Sequence, residues 1–385
     1  MEKFDENEQL RHDARNGLEK RLKQVRPVAQ REEYFKRLEY ELKVITDMGL
    51  AGCFLIVADF INQSKNHGVP VGAGRGCTAG SMVAWSIRIT DPDPFRFGLL
   101  FERFLNTERV NMSNFYVDFC KGGRERTIAY VREKYGADMV TQTRDDKIGA
   151  FILEIQNQPF RCLFFESNIL TLLRDTIRRI GKDHDFLSAI PLDDADTYEM
   201  LSKGDTANLF RFESESMNEV LMDMRPDCFN DLIAAVSLYR PVSADSIPSY
   251  IARKHGKEKV EYPYPILEPI LKETYGIIIY QEQLMRIAEA TAGYSLGQAD
   301  TLRRTMGKMN KAETARQKPI FIAGALKKGI SEEDAGKLFD LMEKSAGSAF
   351  CKAHAATRAL ATYQTEYLKR HYSSEFMSAI NTILN

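Results

Sequence analysis

One ten-residue stretch restricts this chain more than any other: Gly72-Ala73-Gly74-Arg75-Gly76-Cys77-Thr78-Ala79-Gly80-Ser81. It follows the short apolar segment Val69-Pro70-Val71 and leads into a helix start at Ser81–Ile87. Glycines let backbone N–H groups approach an anion closely, a following helix start favours negative charge, and Arg75 adds a full positive charge. A triphosphate suits such a cradle, and a plain tight turn between strand and helix accounts for it equally well. No Gly-Lys-Ser or Gly-Lys-Thr closes the turn, so it is not a Walker motif.

Around this turn the pattern alternates between helix and strand. Asn7 to Met48 is charged and helical, with Phe35, Leu38, Leu42 and Ile45 at helical spacing. Gly49 ends that stretch, and Phe54–Ser64 reads as a more buried helix. Asp91-Pro92-Asp93-Pro94 is turn chemistry. Asn114–Cys120 alternates as a strand does, and Arg124–Tyr135 returns to helix. Phe151–Ile155 and Arg161–Phe165 read as two short strands around a hairpin at Asn157-Gln158-Pro159. Beyond Ile169 the chain is mostly helical. The expectation is an α+β chain: a helical lead-in over 1–48, a small mixed domain over 49–170 and a mainly helical domain over 171–385.

Composition excludes several classes. Lysine plus arginine number 53 and aspartate plus glutamate 54, which rules out a globally basic nucleic-acid binder while permitting a local basic face. Apolar runs such as Leu50–Ala58 fall far short of the ~20 residues of a membrane span. Met1–Glu8 is acidic and polar, unlike a signal or transit peptide, so a soluble, cytoplasmic chain with no membrane partner is expected. The cysteines at 53, 77, 120, 162, 228 and 351 show no Cys-x-x-Cys spacing, and the histidines no metal-binding cluster. They read as reduced thiols, and any metal would need oxygen ligands.

Two further segments carry candidate chemistry. On a strand at 115–119, Tyr116 and Asp118 share one face while Phe115, Val117 and Phe119 share the other. Asp118 is thus a candidate magnesium ligand, or an ordinary surface aspartate. In Leu302-Arg303-Arg304-Thr305-Met306-Gly307-Lys308, the cations Arg303, Arg304 and Lys308 line one side of a helix and its end. Phosphate contact and a solvated basic face both fit them. Lys352, His354, Arg358, Tyr363, Lys369 and Arg370 add positive and aromatic groups farther on.

At these segments the chain resembles the alpha subunit family of bacterial DNA polymerase III, the replicative C-family polymerases, and looks most like alphaproteobacterial members. The likeness runs through 34–138 and 191–379. It is carried by Gly68-Val69-Pro70-Val71-Gly72, by Leu100-Phe101-Glu102-Arg103-Phe104-Leu105-Asn106, and by the run from Glu268-Pro269-Ile270-Leu271 to Tyr280-Gln281-Glu282-Gln283. The resemblance implies a polymerase-beta-like nucleotidyltransferase palm followed by part of a helical fingers domain. It implies that Gly74, Arg75, Gly76, Gly80, Ser81, Arg303, Arg304, Lys308, Lys352 and His354 bind the incoming nucleotide's phosphates. It also implies three palm aspartates holding two Mg2+ ions, with a DNA primer-template and deoxynucleoside triphosphates as partners.

The departures from the family pattern shape the functional expectation. Where the family has Pro-Asp-x-Asp-x-Asp-Phe, this chain has Ser113-Asn114-Phe115-Tyr116-Val117-Asp118-Phe119, which leaves Tyr116 at the first metal-binding position. Alignment on Thr171-Leu172 places Phe165 at the third. Glu166 substitutes only if the register slips by one, and Glu154 only if 151–155 pairs beside the catalytic strand. Ala73 stands for proline and Cys77 for serine in the turn. The fingers motifs read Arg240-Pro241-Val242-Ser243 and Phe350-Cys351-Lys352-Ala353-His354, where the family has Arg-Pro-Gly-Pro and Phe-Asn-Lys-Ser-His. Fewer than thirty residues stand where a thumb is expected, and the sliding-clamp-binding and tau-binding regions are expected to be absent. The expected function is a polymerase III alpha-like protein, a DNA-directed DNA polymerase by family, with catalysis lost or strongly impaired. The alternatives are a non-catalytic nucleotide- or DNA-binding accessory protein, or a decayed gene copy.

Overall fold

The computed structural model describes residues 5–108, 114–147, 149–155, 160–183, 185–204, 215–308 and 311–384. Its first helix, α1 (Glu6–Gln24), starts where the Asp5 carboxylate accepts from the Asn7 and Glu8 backbone N–H groups, satisfying two donors that a helix start leaves unpaired. Leu10, Ala14 and Leu18 recur every fourth residue and are buried. α2 (Arg31–Asp47) buries Tyr34, Leu38, Leu42 and Ile45 on one stripe. The single helical stretch expected over 7–48 is therefore two helices. Pro27 explains the break, since it lacks the N–H a helix needs and pushes the residue before it toward extended geometry.

α3 (Ala51–Asn66) follows, then the glycine turn, the short α4 (Met82–Ser86), and strand β1 (Phe115–Phe119). α5 (Gly123–Tyr135) leads to β2 (Val140–Asp145), β3 (Ala150–Ile155), β4 (Arg161–Glu166) and α6 (Asn168–Arg179). The four strands form one mixed sheet in the order β1-β4-β3-β2. β4 runs parallel to β1 and antiparallel to β3, which is antiparallel to β2. The expected strand pair at 151–155 and 161–165 is present; its turn at 156–159 lies outside the described residues. β2 was not anticipated, because its sequence Val-Thr-Gln-Thr-Arg-Asp has a single buried residue, Val140, to mark a face.

One face of the sheet meets α3 and α5 across an aromatic layer. Phe60 and Phe164 lie 5.2 Å apart, Phe119 and Phe164 4.8 Å, and Phe54 and Phe115 5.6 Å, centroid to centroid. Such packed rings contribute area burial and a favourable edge geometry together. Beyond α6 every regular element among the described residues is helical. A second core collects Leu271, Leu284, Leu302, Phe321, Phe339 and Met342 from helices between 268 and 346.

The final helices, Lys352–His371 and Ser373–Leu384, return to the first core. That core runs from Leu10 through Trp85 and Phe119 to Tyr363 and Ile380. The packing boundaries thus differ from the linear divisions at 48 and 170, since α1 and α2 share a core with the sheet and the C-terminal helices rejoin it. Among the described residues no single helix is long and apolar enough to cross a membrane; α2 and α3, apolar enough as a pair, are bent by 113°.

Candidate functional site

The glycine turn is held against β1 by main-chain bonds. Val71 bridges Phe119, and the Gly72 N–H donates to the Asp118 carbonyl at 2.8 Å. Gly74 and Gly76 have φ of 124° and 68°, values a side chain rarely tolerates. At Gly74 a Cβ would also come within 3.3 Å of the Thr357 methyl on helix Lys352–His371. The glycines therefore let the turn lie between β1 and that helix, bringing Arg75 over the sheet face that carries Tyr116 and Asp118.

That face is built differently from a cation site. Arg75 Nη1 donates to Asp118 Oδ1 at 2.6 Å, in an ion pair whose side chains are about one-fifth exposed. The same guanidinium stacks on the Phe165 ring, with its carbon 3.6 Å from the centroid. Phe165 is the residue paired with Asp118 across the parallel strands, and Tyr116 pairs with Leu163. Tyr116 and Phe165 stack at 6.4 Å, and with Ala150, Ile152 and Leu163 they form a small apolar cluster. One carboxylate, already neutralised, faces two aromatic rings and aliphatic side chains.

Glu166 and Glu154 both lie elsewhere. Glu166 pairs with Phe119, one residue out of step with Asp118, so its side chain leaves by the opposite face and meets Arg124 at 3.2 Å. The strand beside β1 is β4 and not β3, and Glu154 pairs with Arg161 at 2.5 Å. Neither carboxylate can join Asp118 on one ion. A separate acidic group, Asp227, Cys228 and Asp231, is met by Lys254, whose Nζ lies 2.8 Å from Asp231 and 3.1 Å from Asp227.

The expected phosphate ligands divide into three groups. His354 lines a narrow cleft of about 60 Å³ with Gly72, Gly74, Arg75, Asp118 and Arg358, and its Nδ1 accepts from the Gly76 N–H at 3.0 Å. Arg304 and Lys308 are exposed four residues apart. The others are engaged inside the protein. Ser81 is buried, donates to Glu41 at 2.8 Å and caps α4 through the Ala84 N–H. Gly80 packs so closely that a Cβ would lie 2.4 Å from the Leu100 carbonyl oxygen. The shared face expected for Arg303, Arg304 and Lys308 is corrected: Arg303 turns inward to Asp300 at 2.7 Å, because successive helical residues diverge by about 100°. Lys352 is buried with its Nζ 2.7 Å from Glu273.

Sequence reasoning passed over the residues that join the two cores. Arg103, inside the quoted Leu-Phe-Glu-Arg-Phe-Leu-Asn motif, is buried and donates to Asp300 at 2.9 Å and Gln281 at 2.6 Å. Its burial works against the charged form, but Cys77, Cys351, Asp300 and Glu282 around it hold its pKa above the ordinary arginine value. Glu282, also in a quoted motif, accepts from the Lys352 and Ala353 N–H groups at 2.9 Å and 3.4 Å, capping the helix Lys352–His371. Their signal was their place in the motifs that carried the resemblance.

Comparison with known proteins identifies the ancestry of this arrangement. The model of the bacterial DNA polymerase III alpha NTPase domain matches residues 8–146, and that of the bacterial DNA polymerase III alpha subunit finger domain matches 169–329. The chain belongs to the bacterial DNA polymerase III alpha subunit family. The DNA polymerase III subunit alpha of Caulobacter vibrioides is 38% identical over 484 residues, covering 97% of this chain and 42% of the relative. Those of Xylella fastidiosa and Escherichia coli K12 are 38% and 37% identical over 96% of this chain and 42% of theirs. The chain thus spans about two-fifths of the length of these curated relatives. The aligned span with the Caulobacter protein exceeds the 385 residues of this chain, so that family member carries internal residues without a counterpart here. The two family models leave 147–168 unmatched between them, the interval that holds β4 and Phe165.

Proposed function

We propose that this is a polymerase III alpha-like protein in which two-metal nucleotidyl transfer is lost or strongly impaired, leaving a non-catalytic contact with nucleotide or DNA phosphates. In this reading 49–170 corresponds to a palm-type portion and 171–385 to part of a fingers-type portion. The observation that carries it is the pairing of Asp118 with Phe165 across β1 and β4, while Arg75 holds the Asp118 carboxylate. Magnesium prefers several oxygen ligands in near-octahedral geometry. One ion-paired carboxylate beside a tyrosine and a phenylalanine ring does not fit a two-ion site. The exposed Arg304 and Lys308 are the residues best placed for phosphate contact, with binding expected to weaken as salt rises.

Primer extension on a recessed template, with Mg2+ and then Mn2+ and with Asp118→Ala as control, tests the proposal. The expected outcome is no extension above the control. Extension that disappears in Asp118→Ala would show that the reduced carboxylate set still supports chemistry and would overturn the reading.

A further inference from the structure

Two of the six cysteines meet across the junction of the cores. Cys77 lies in the glycine turn and Cys351 is the residue before the helix Lys352–His371; they are 274 positions apart, yet their Sγ atoms are 3.2 Å from each other. Both are half-buried, whereas Cys53, Cys120 and Cys162 are buried and Cys228 is exposed. The turn and the helix are also joined by the Gly76 N–H to His354 bond. Disulfide closure requires the sulfurs to come about 1 Å nearer, to an S–S length near 2.05 Å. A small movement of the turn or of the side-chain rotamers supplies that.

We propose that Cys77 and Cys351 form a reversible disulfide, made by hydrogen peroxide, that staples the glycine turn to the N-terminus of the helix Lys352–His371. The surroundings assign distinct roles to the two sulfurs. Either sulfur can donate to the other, and the Arg103 and Arg303 guanidinium groups nearby favour a thiolate at Cys77. The Cys77 thiolate attacks the peroxide, the O–O bond breaks, and Cys77 becomes a sulfenic acid while the leaving hydroxide takes up a proton to become water. The Cys351 sulfur then attacks the sulfenic sulfur. The S–O bond breaks as the S–S bond forms, and the departing hydroxide leaves as a second water with the Cys351 proton. Two thiols are oxidised and one peroxide is reduced.

The consequence is positional. Gly74, Arg75, His354 and Arg358 line the narrow cleft between turn and helix, so the bond would fix the spacing of its walls.

The test uses the full-length reduced protein titrated with hydrogen peroxide, quenched with N-ethylmaleimide and mapped by peptide mass spectrometry. The expected product is an intramolecular peptide joining Cys77 to Cys351, lighter than the two thiols by two hydrogens, formed before Cys228 is consumed and reversed by dithiothreitol. In Cys351→Ser the cross-link should vanish and dimedone should label Cys77. Recovery of both residues as maleimide adducts after Cys228 is fully oxidised would overturn the proposal, as would cross-links to other cysteines or between chains. If Cys351→Ser fails to fold, the wild-type map decides alone.

Discussion

Replacing Asp118 asks whether its carboxylate serves Arg75 or a metal. The Arg75–Asp118 pair is close, at 2.6 Å, but roughly a fifth of each side chain remains exposed. Unit charges near a protein surface attract by about 4 kcal/mol at 4 Å before desolvation and side-chain ordering are subtracted, and exposed pairs retain at most about 1 kcal/mol. Asp118→Asn keeps a hydrogen-bond acceptor, so a loss of about 1 kcal/mol is expected. Arg75→Met also removes the stacking on Phe165, which adds about 1 kcal/mol for a partly desolvated cation–π contact. The double variant should cost about 2 kcal/mol, giving a coupling near 1 kcal/mol between the two positions.

If Asp118 held a metal with a dissociation constant of ~1 mM, ~10 mM Mg2+ would stabilise the wild type by about 1.4 kcal/mol, through binding to the folded state alone. For 385 residues that is a rise in melting temperature of roughly 2 °C. Urea and thermal midpoints with Mg2+, Mn2+ or sodium chloride at matched ionic strength separate the cases. No metal-specific shift is expected. A shift of that size that disappears in Asp118→Asn would refute the assignment of Asp118 to Arg75.

Three other outcomes follow from the same geometry. Tyr116→Asp combined with Phe165→Asp places carboxylates in the apolar cluster, and a metal-free loss of about 3 kcal/mol is expected from the lost ring packing and unpaired charge, with partial rescue by Mg2+ in denaturation. Burial opposes ionisation of Asp194, but bonds from Thr197 and His371 outweigh it and hold its pKa below the ordinary 3.8; its contribution is present above that pH and lost as pH falls through the folded value, so Asp194→Asn should cost stability at pH 7 and much less in acid. The contact with Cys351 draws the Cys77 pKa below the ordinary thiol value, while burial pushes Cys228 up to about 11, so iodoacetamide should modify Cys77 at lower pH than Cys228, and that advantage should shrink in Cys351→Ala.

What could be read from the sequence was whatever a local pattern encodes. The alternation of Phe115, Val117 and Phe119 against Tyr116 and Asp118 marks the two faces of β1, and its buried and half-buried residues fall in that order. The expectation at Phe165 rests on the family resemblance alone; the β1–β4 register sets that ring beside Asp118. Partners supplied by distant segments left no local signal. Asp300, three residues before Arg303 on the same helix, is a local partner, but the helix face that turns inward is fixed by Arg103, which shares Asp300 from a segment nearly two hundred residues away. Lys352 likewise reads as a phosphate ligand until Glu273 is found against it. Along the chain, Cys77 and Cys351 are two separate thiols with no spacing that links them. In space they are in contact, on the two segments that frame Asp118 and Arg75. The site thus holds two kinds of contact that no single segment encodes: on the sheet face a guanidinium and two aromatic rings surround one carboxylate, and at the core junction two thiols meet from segments 274 positions apart.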